Sequence, residues 1–412
     1  MLKIEKVKNK FSLTEIFKND INRMILLMFF CIFLYNLGHP ATPDLIELRH
    51  LNKSISGVFL AIMSSSMFLS SPYLGALADS IGMKKIFIFM PIMYGLAQVF
   101  FGFSNSLLVM MLARIMAGFA SGGTYAVVLG YVSQISKKEE KSKNIAKISS
   151  IAIVGGAIGQ KVGGLIGLVD TRYPFGMQLI FGILVSLLIF IFMNEIGKKD
   201  KNDKNEEDKE KKNLNPLSTF KYIYELDRNS KFFCFIIFLS GIGIYSYASA
   251  VNYFLKFYIK VNSNTIGTYV MFTSLIAFLG TSFLLSFLLK KFKERKIYIA
   301  MLFIGIILMI TILFRLRLGR VSYILMAIYA MTYEIVRTLG NSIIAQKSKG
   351  KQGKILGVAS SVSFLGNAMG SLLSGYILEA NMYLPFIVNI VIITCVLGLL
   401  VTQSKRNERK EI

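Results

Sequence analysis

The chain has very little of what soluble catalysis is built from. Only three cysteines and two histidines occur among its 412 residues. Cys31, Cys234 and Cys395 each lie inside an apolar run with no metal-ligand spacing, so they read as reduced packing residues rather than a disulfide or metal framework. Carboxylates are scarce as well, with 23 Asp and Glu against 47 Lys and Arg. No nucleophile is spaced with a base, and no glycine-rich loop runs into a Lys-Ser or Lys-Thr pair. An enzyme is therefore not expected, and neither is a metal or other cofactor. The opening MLKIEKVKNKFSLTEIF holds no apolar stretch followed by a small-residue cleavage site and reads as a cytoplasmic tail, not a signal peptide. The sequence shows no stretch that reads as a soluble sensory domain, which weighs against the expectation of a receptor.

What is abundant is hydrocarbon. With 54% hydrophobic and 17% charged residues, the chain carries more apolar surface, in longer runs, than one soluble core can bury. Runs of spanning length fall at about 22–45, 54–76, 86–103, 107–132, 148–169 and 175–193. After a polar gap six more follow, at about 232–258, 265–289, 297–314, 322–344, 356–378 and 383–401. These predict an all-α transmembrane protein of twelve helices. The formal charge of +24 falls mostly in short loops between those runs, which points to a membrane surface and not to nucleic acid.

The lysines occupy alternate loops: Lys84 and Lys85, the KKEEKSK run from Lys137, the middle loop, KKFKERK from Lys290, KSKGKQGK from Lys347, and the tail KRNERK. Both termini are therefore expected on the cytoplasmic side. Arg315, Arg317 and Arg320 break this alternation, and the charge pattern offers no account of them. The stretch GKKDKNDKNEEDKEKKN, 197–213, is charged in both signs and cannot bury a core, so it reads as a solvated linker. The expected organisation is one six-helix bundle over residues 1–194, a linker over 195–230 and a second bundle over 231–412.

An internal repeat supports that division. Adding 211 carries Gly155, Gly159 and Gly164 of the fifth run onto Gly366, Gly370 and Gly375 of the eleventh. The same offset carries Leu77, Gly82, Lys84 and Lys85 onto Leu288, Lys293, Arg295 and Lys296, a decayed basic copy of the first loop. Two halves built on one plan are the physical requirement for alternating access.

Several constellations sit on this frame. GALADSIGMKK, 75–85, reads as a charged hinge between two spans: Gly75 and Gly82 permit close approach and positive φ, and Asp79 can accept hydrogen bonds. Glu334 and Arg337 share one face of the tenth helix. A charge at mid-membrane costs about 2.5–3.5 kcal/mol on insertion scales, so the pair should face the protein interior. His39 precedes Pro40 and Pro43, which should bend the first helix, and Arg114 opens a small-residue run through Gly118, Gly122 and Gly123 that permits tight packing against the first helix. Tyr35, Asn36, Tyr125, Tyr245, Asn252, Tyr333 and Asn367 are candidate cavity residues, aromatic faces with polar handles suited to amphipathic ligands. Asp44 reads as a rim residue. Lys161 either snorkels to the outer interface or faces the cavity and favours a substrate with negative character.

The spacing Gly75-x-Leu77-Ala78-Asp79-x-x-Gly82-x-Lys84-Lys85 resembles the loop signature of the major facilitator superfamily, departing at Ser80, where that family often has Arg. The resemblance implies a twelve-helix major facilitator fold of two pseudo-twofold-related bundles. Within it, Gly75, Asp79, Gly82, Lys84 and Lys85 would latch the bundles together on the cytoplasmic side. It implies Glu334 as a proton-exchanging carboxylate with Arg337 as its partner, followed by a loop like Gly350-Lys351-Gln352-Gly353. His39 and Arg114 would stand at a second proton-linked position. Gly155, Gly159, Gln160, Lys161, Gly163 and Gly164 resemble the fifth-helix signature of antiporters, with Gln160 where the family has Pro.

The expected function is proton-coupled, multidrug-type export of amphipathic small molecules by a monomeric antiporter in a bacterial cell membrane, its partners being substrate, protons and lipid. Uptake of a sugar, nucleoside or anionic metabolite stays open, as does a receptor or lipid-handling role. The seventh run, 232–258, lacks the second acid that many drug exporters carry.

Overall fold

The computed structural model describes residues 19–137, 140–196, 228–315, 320–346 and 352–408. The start of the N-terminal tail, linker residues 197–227, Arg317 and the basic stretch 347–351 lie outside the described residues.

Thirteen helices follow one another among the described residues. In the first half they are α1 (Asp20–Asn36), α2 (Thr42–Leu48), α3 (Ile55–Ile81), α4 (Met83–Phe103), α5 (Leu107–Ile135), α6 (Lys141–Gly167) and α7 (Tyr173–Phe192). In the second half they are α8 (Arg228–Phe257), α9 (Ser263–Leu289), α10 (Glu294–Arg315), α11 (Arg320–Gln346), α12 (Gln352–Ala380) and α13 (Leu384–Glu408). Helix α9 passes through a π-helical turn at Gly280–Leu284. Among the described residues nine helices are long and apolar enough to cross a bilayer. Helices α1, α11 and α12 complete the twelve. The first has only 17 residues. The other two are long but diluted by buried polar side chains such as Thr332, Ser361, Asn367, Ser371 and Ser374. The chain is a multi-pass membrane protein.

Local chemistry sets the breaks. Asn19 caps α1 by accepting a bond from the Ile21 amide at 2.8 Å, and Asn262 caps α9 through the Thr265 amide at 2.9 Å. The first apolar run does not cross as one bent helix. It stops at Asn36, turns through 37–41, and resumes as the short α2 with Pro43 in its first turn; Pro40 has no amide to continue the ladder. The predicted hinge 75–85 also differs from expectation. Residues 75–81 are the last two turns of α3, α4 starts at Met83, and the turn is Gly82 alone, at φ +112°. Arg315 ends α10 and Arg320 begins α11.

The glycine repeat is a packing repeat. Cβ atoms at Gly155 and Gly159 of α6 would collide with the carbonyls of Phe29 and Phe33 on α1; at Gly366 and Gly370 of α12 they would collide with those of Phe238 and Ile242 on α8. An offset of 209 relates Phe29 and Phe33 to Phe238 and Ile242. Each bundle thus lays one glycine face against its own first helix, because without a hydrophobic drive between helices in lipid, close backbone approach supplies the packing energy. The third glycine of each set faces the other bundle: Gly164 meets the Ser263 carbonyl that begins α9, and Gly375 meets the Ser54 carbonyl that precedes α3. Ser54 and Ser263 are again 209 apart. The molecule therefore consists of two six-helix bundles related by a pseudo-twofold axis.

Each bundle has its own core, around Tyr94, Phe87 and Tyr131 in the first and around Tyr298, Phe233, Tyr247 and Phe386 in the second. A further cluster belongs to both, with Leu45, Phe59, Phe101 and Phe175 packed together with Ala250, Tyr253 and Leu378.

Candidate functional site

Glu334 and Arg337 stand three residues apart on α11, so one helical turn brings them together. Both Nε and Nη2 of Arg337 donate to one carboxylate oxygen, Glu334 Oε2, at 2.9 and 2.7 Å. The Glu334 side chain is only 13% exposed, while that of Arg337 is 54% exposed. The groups that feel this pair come from both bundles: Tyr125 on α5 and Tyr245 on α8 are within electrostatic reach of both charges, and Tyr333 is the neighbour on α11. The pair is therefore within electrostatic reach of side chains from both bundles. A carboxylate held there can exchange its cation partner for a proton, which changes the charge of the chamber wall by one unit.

The bundles are sealed together at one end. Lys256, at the last turn of α8, bonds Asp44 Oδ1 at 2.5 Å and Glu47 Oε2 at 2.9 Å, both on α2. Lys161 of α6 reaches the opposite way, donating to Asn264 Oδ1 at 2.6 Å and Thr268 Oγ1 at 2.7 Å on α9. Ser263 donates to the Gly164 carbonyl at 3.2 Å, and Lys53 lies 4.9 Å over the Phe257 ring. Gly57 beside Ser371 and Gly267 beside Gln160 bring the backbones into contact at the same level. At the opposite end the hinge residues make contacts within their own bundle: a Cβ on Gly75 would meet Ala126 at 3.6 Å, Gln134 donates to Asp79 at 3.5 Å, and Lys84 lies 5.2 Å over Phe190. Lys85 is exposed.

The remaining predicted positions divide into wall and core. Tyr125, Tyr245 and Tyr333 gather at the ion pair. Tyr35 is 4% exposed, bonded to Thr124 at 2.5 Å and tilted at 34° to the Tyr94 ring 4.1 Å away, so it packs in the first core. Asn367 is 6% exposed and packs against Gly241, a helix contact inside the second bundle. Asn36 ties α1 to α6 by accepting from Gln160 at 3.1 Å, and Asn252 buries an unpaired Oδ1. Gly163 packs on the Leu37 carbonyl. Arg114 is buried with its guanidinium 3.4 Å over Phe101 and its Nε unbonded, within reach of His39, Tyr94 and Tyr253. His39 and Arg114 are thus brought together, but away from Glu334. Lys161 donates across the bundles to Asn264 and Thr268. Asp44 is 14% exposed and paired with Lys256. Asp44, Glu47 and Lys256 were missed as a set.

Among the described residues no group of His, Cys, Asp and Glu could hold a metal ion. Cys31 and Cys234 are buried and Cys395 is exposed, all as free thiols.

Two pseudo-twofold-related bundles with an ion pair near both, sealed at one end, are the frame of a membrane transporter of small molecules. The family model of the Major Facilitator Superfamily matches residues 24–260 and again 233–411, and the chain belongs to that family. It is 23% identical over 400 residues to multidrug resistance protein 2 of Bacillus subtilis (strain 168), covering 95% of this chain and 98% of that one. It is 22% identical over 396 residues to quinolone resistance protein NorA of Staphylococcus aureus (strain MSSA476), covering 95% and 99%. Among solved structures, a bacterial homologue of the human lysosomal transporter Spinster, inward-facing and unoccupied, superposes with a TM-score of 0.75 at 15% identity over 94% of this chain and 97% of that one. A mutant of the nucleoside transporter NupG gives 0.75 at 12% identity over 93% and 99%.

Proposed function

We propose that the chain is a proton-coupled exporter of amphipathic small molecules working by alternating access as a monomer, with residues 1–194 and 231–412 as the moving bundles and 195–230 as their linker. The lysine-rich loops put both termini and the Gly82 end in the cytoplasm. On that orientation the sealed Lys256 end is external and the molecule rests inward-open. The observation that carries the reading is the Glu334–Arg337 pair within electrostatic reach of Tyr125 and Tyr245, one from each bundle. Facing inward, Glu334 is ionised and bonded to Arg337, and an amphipathic substrate enters against the tyrosine faces. Facing outward, a proton taken up by Glu334 ends that bond, frees Arg337 into the chamber and displaces the substrate. Closure of the outer end carries the proton in. One charge moved across 100 mV is worth about 2.3 kcal/mol, enough for roughly fifty-fold accumulation.

Two relatives named for multidrug and quinolone resistance, matched end to end, support export. The bonds of Lys161 to Asn264 and Thr268 favour a sealing role over the anion anchor of the uptake alternative. Gly75, Asp79, Gly82, Lys84 and Lys85 are the proposed latch, closing when the outer end opens. Inside-out vesicles given a proton gradient should accumulate a fluorescent lipophilic dye, and Glu334→Gln should abolish that accumulation. Undiminished accumulation by the variant removes Glu334 from the mechanism, and retention that ignores the gradient removes export itself.

A further inference from the structure

The two copies of the repeat differ where the third span of each bundle meets the sixth. In the first bundle α4 and α7 lie backbone to backbone: a Cβ at Gly95 would stand 2.6 Å from the Leu179 Cα, and one at Gly182 would stand 2.5 Å from the Pro91 carbonyl. The residues 211 further on are Ile306 and Ile393, so α10 and α13 lack this glycine pair. Gly398 of α13 faces open space. At their basic end these two helices leave a crevice of about 420 Å³, lined by Lys296, Ile299, Ala300, Phe303, Leu397 and Val401. Phe303 is 56% exposed, which in a spanning helix means exposed to lipid.

The rim of this apolar slot is strongly positive. Lys290, Lys291, Lys293 and Lys296 are all exposed, and among the described residues none forms an ion pair; Lys291 lies 4.6 Å over Phe287. The two remaining charges of the turn are occupied elsewhere. Glu294 accepts from Ser342 at 3.1 Å. Arg295 turns into the bundle, donating to the Leu400 carbonyl at 3.2 Å and to Gln403 at 3.3 Å, which pins α13 beside the crevice. An apolar slot opening to the bilayer, under lysines that lack a counter-anion among the described residues, is complementary to a molecule with an acyl chain and an anionic head. We propose that the α10–α13 crevice binds one anionic phospholipid, with an acyl chain against Phe303, Leu397 and Val401 and the phosphate on Lys296 and Lys293. A neutral lipid satisfies only the slot, and free phosphate only the rim.

Native mass spectrometry of the full-length protein, titrated with phosphatidylglycerol, with phosphatidylcholine of equal chain length or with inorganic phosphate, tests this. Phosphatidylglycerol should bind at least tenfold more tightly than phosphatidylcholine. Changing Lys293 and Lys296 together to Gln should weaken it by roughly fivefold per lysine and leave phosphatidylcholine unchanged. Ala300→Trp, which fills the slot without touching the charges, should weaken both lipids, while the remote Lys147→Gln alters neither. Equal binding of the two lipids, phosphatidylglycerol binding untouched by the lysine pair, or inorganic phosphate binding as tightly as phosphatidylglycerol each overturns the assignment. The lysine variant is confined to exposed side chains, so it decides the matter even where Ala300→Trp does not fold.

Discussion

Lys256 Nζ lies 2.5 Å from Asp44 Oδ1, joining the last turn of α8 to the short helix that follows the broken first span. Both side chains are mostly buried and Glu47 supplies a second carboxylate, yet the pair stands near water, so it is worth about 1 kcal/mol rather than several. Lys256→Ala should therefore shift the closed-to-open ratio of this end about fivefold toward open, and Lys256→Arg should shift it much less. Spin labels at Leu48 and Lys260, on opposite sides of the seal, read the change as a longer-distance population. An unchanged distance distribution in Lys256→Ala would mean that the pair does not hold the seal.

Lys161 distinguishes a seal from a substrate anchor. If its bonds to Asn264 and Thr268 only close the outer end, Lys161→Gln keeps a donor there and should leave dye export within about twofold, while Lys161→Leu opens the seal to the same spin labels. A large rise in KM in Lys161→Gln with the seal intact would instead assign the ammonium to substrate.

Much of this architecture was legible in the sequence, and the reason is geometric. Gly155, Gly159, Gly366 and Gly370 sit where a helix backbone touches its neighbour, a contact no side chain can share, so the repeat survives as letters. The Glu334–Arg337 pair was readable because both charges lie on one helix turn inside an apolar run. The seal was not readable, because Asp44 and Lys256 come from different halves and nothing local in either segment names the other. Lys161 shows the same limit: the sequence gives its depth, but only the neighbouring helix says whether it faces lipid, cavity or partner. The hinge was misplaced for another reason. Asp79 and Ser80 look like loop residues, but Ser80 Oγ bonds the Leu77 carbonyl at 2.8 Å and the helix runs on to Gly82.

The paired glycines make a quantitative prediction. Gly159→Ala and its counterpart Gly370→Ala each push a methyl into a carbonyl of the bundle's own first helix, and overpacking of this kind costs about 1–3 kcal/mol. Both variants should melt lower in detergent by similar amounts. Gly398→Ala, where nothing lies within 4 Å, should melt like the wild type. A destabilised Gly159→Ala beside a neutral Gly370→Ala would show that the two halves do not share the packing plan.

The pH dependence of export separates Glu334 from the outer loop. Asp170 also carries a charge near that surface, but the Arg172 side chain and backbone amide beside it hold its carboxyl down to about 2. A depressed carboxylate contributes its interaction above its ordinary value of 3.8 and loses it only as pH falls toward 2. Asp170 therefore stays ionised from pH 5 to 8, and Asp170→Asn should leave the pH–rate profile of dye export in that window unmoved. On the proposed coupling role, Glu334→Gln should flatten the same profile, because an amide exchanges no proton. Vesicle transport at fixed gradient and varied absolute pH measures both, and a profile that moves with Asp170→Asn while surviving Glu334→Gln would transfer the proton-coupling role out of the chamber and into the loop.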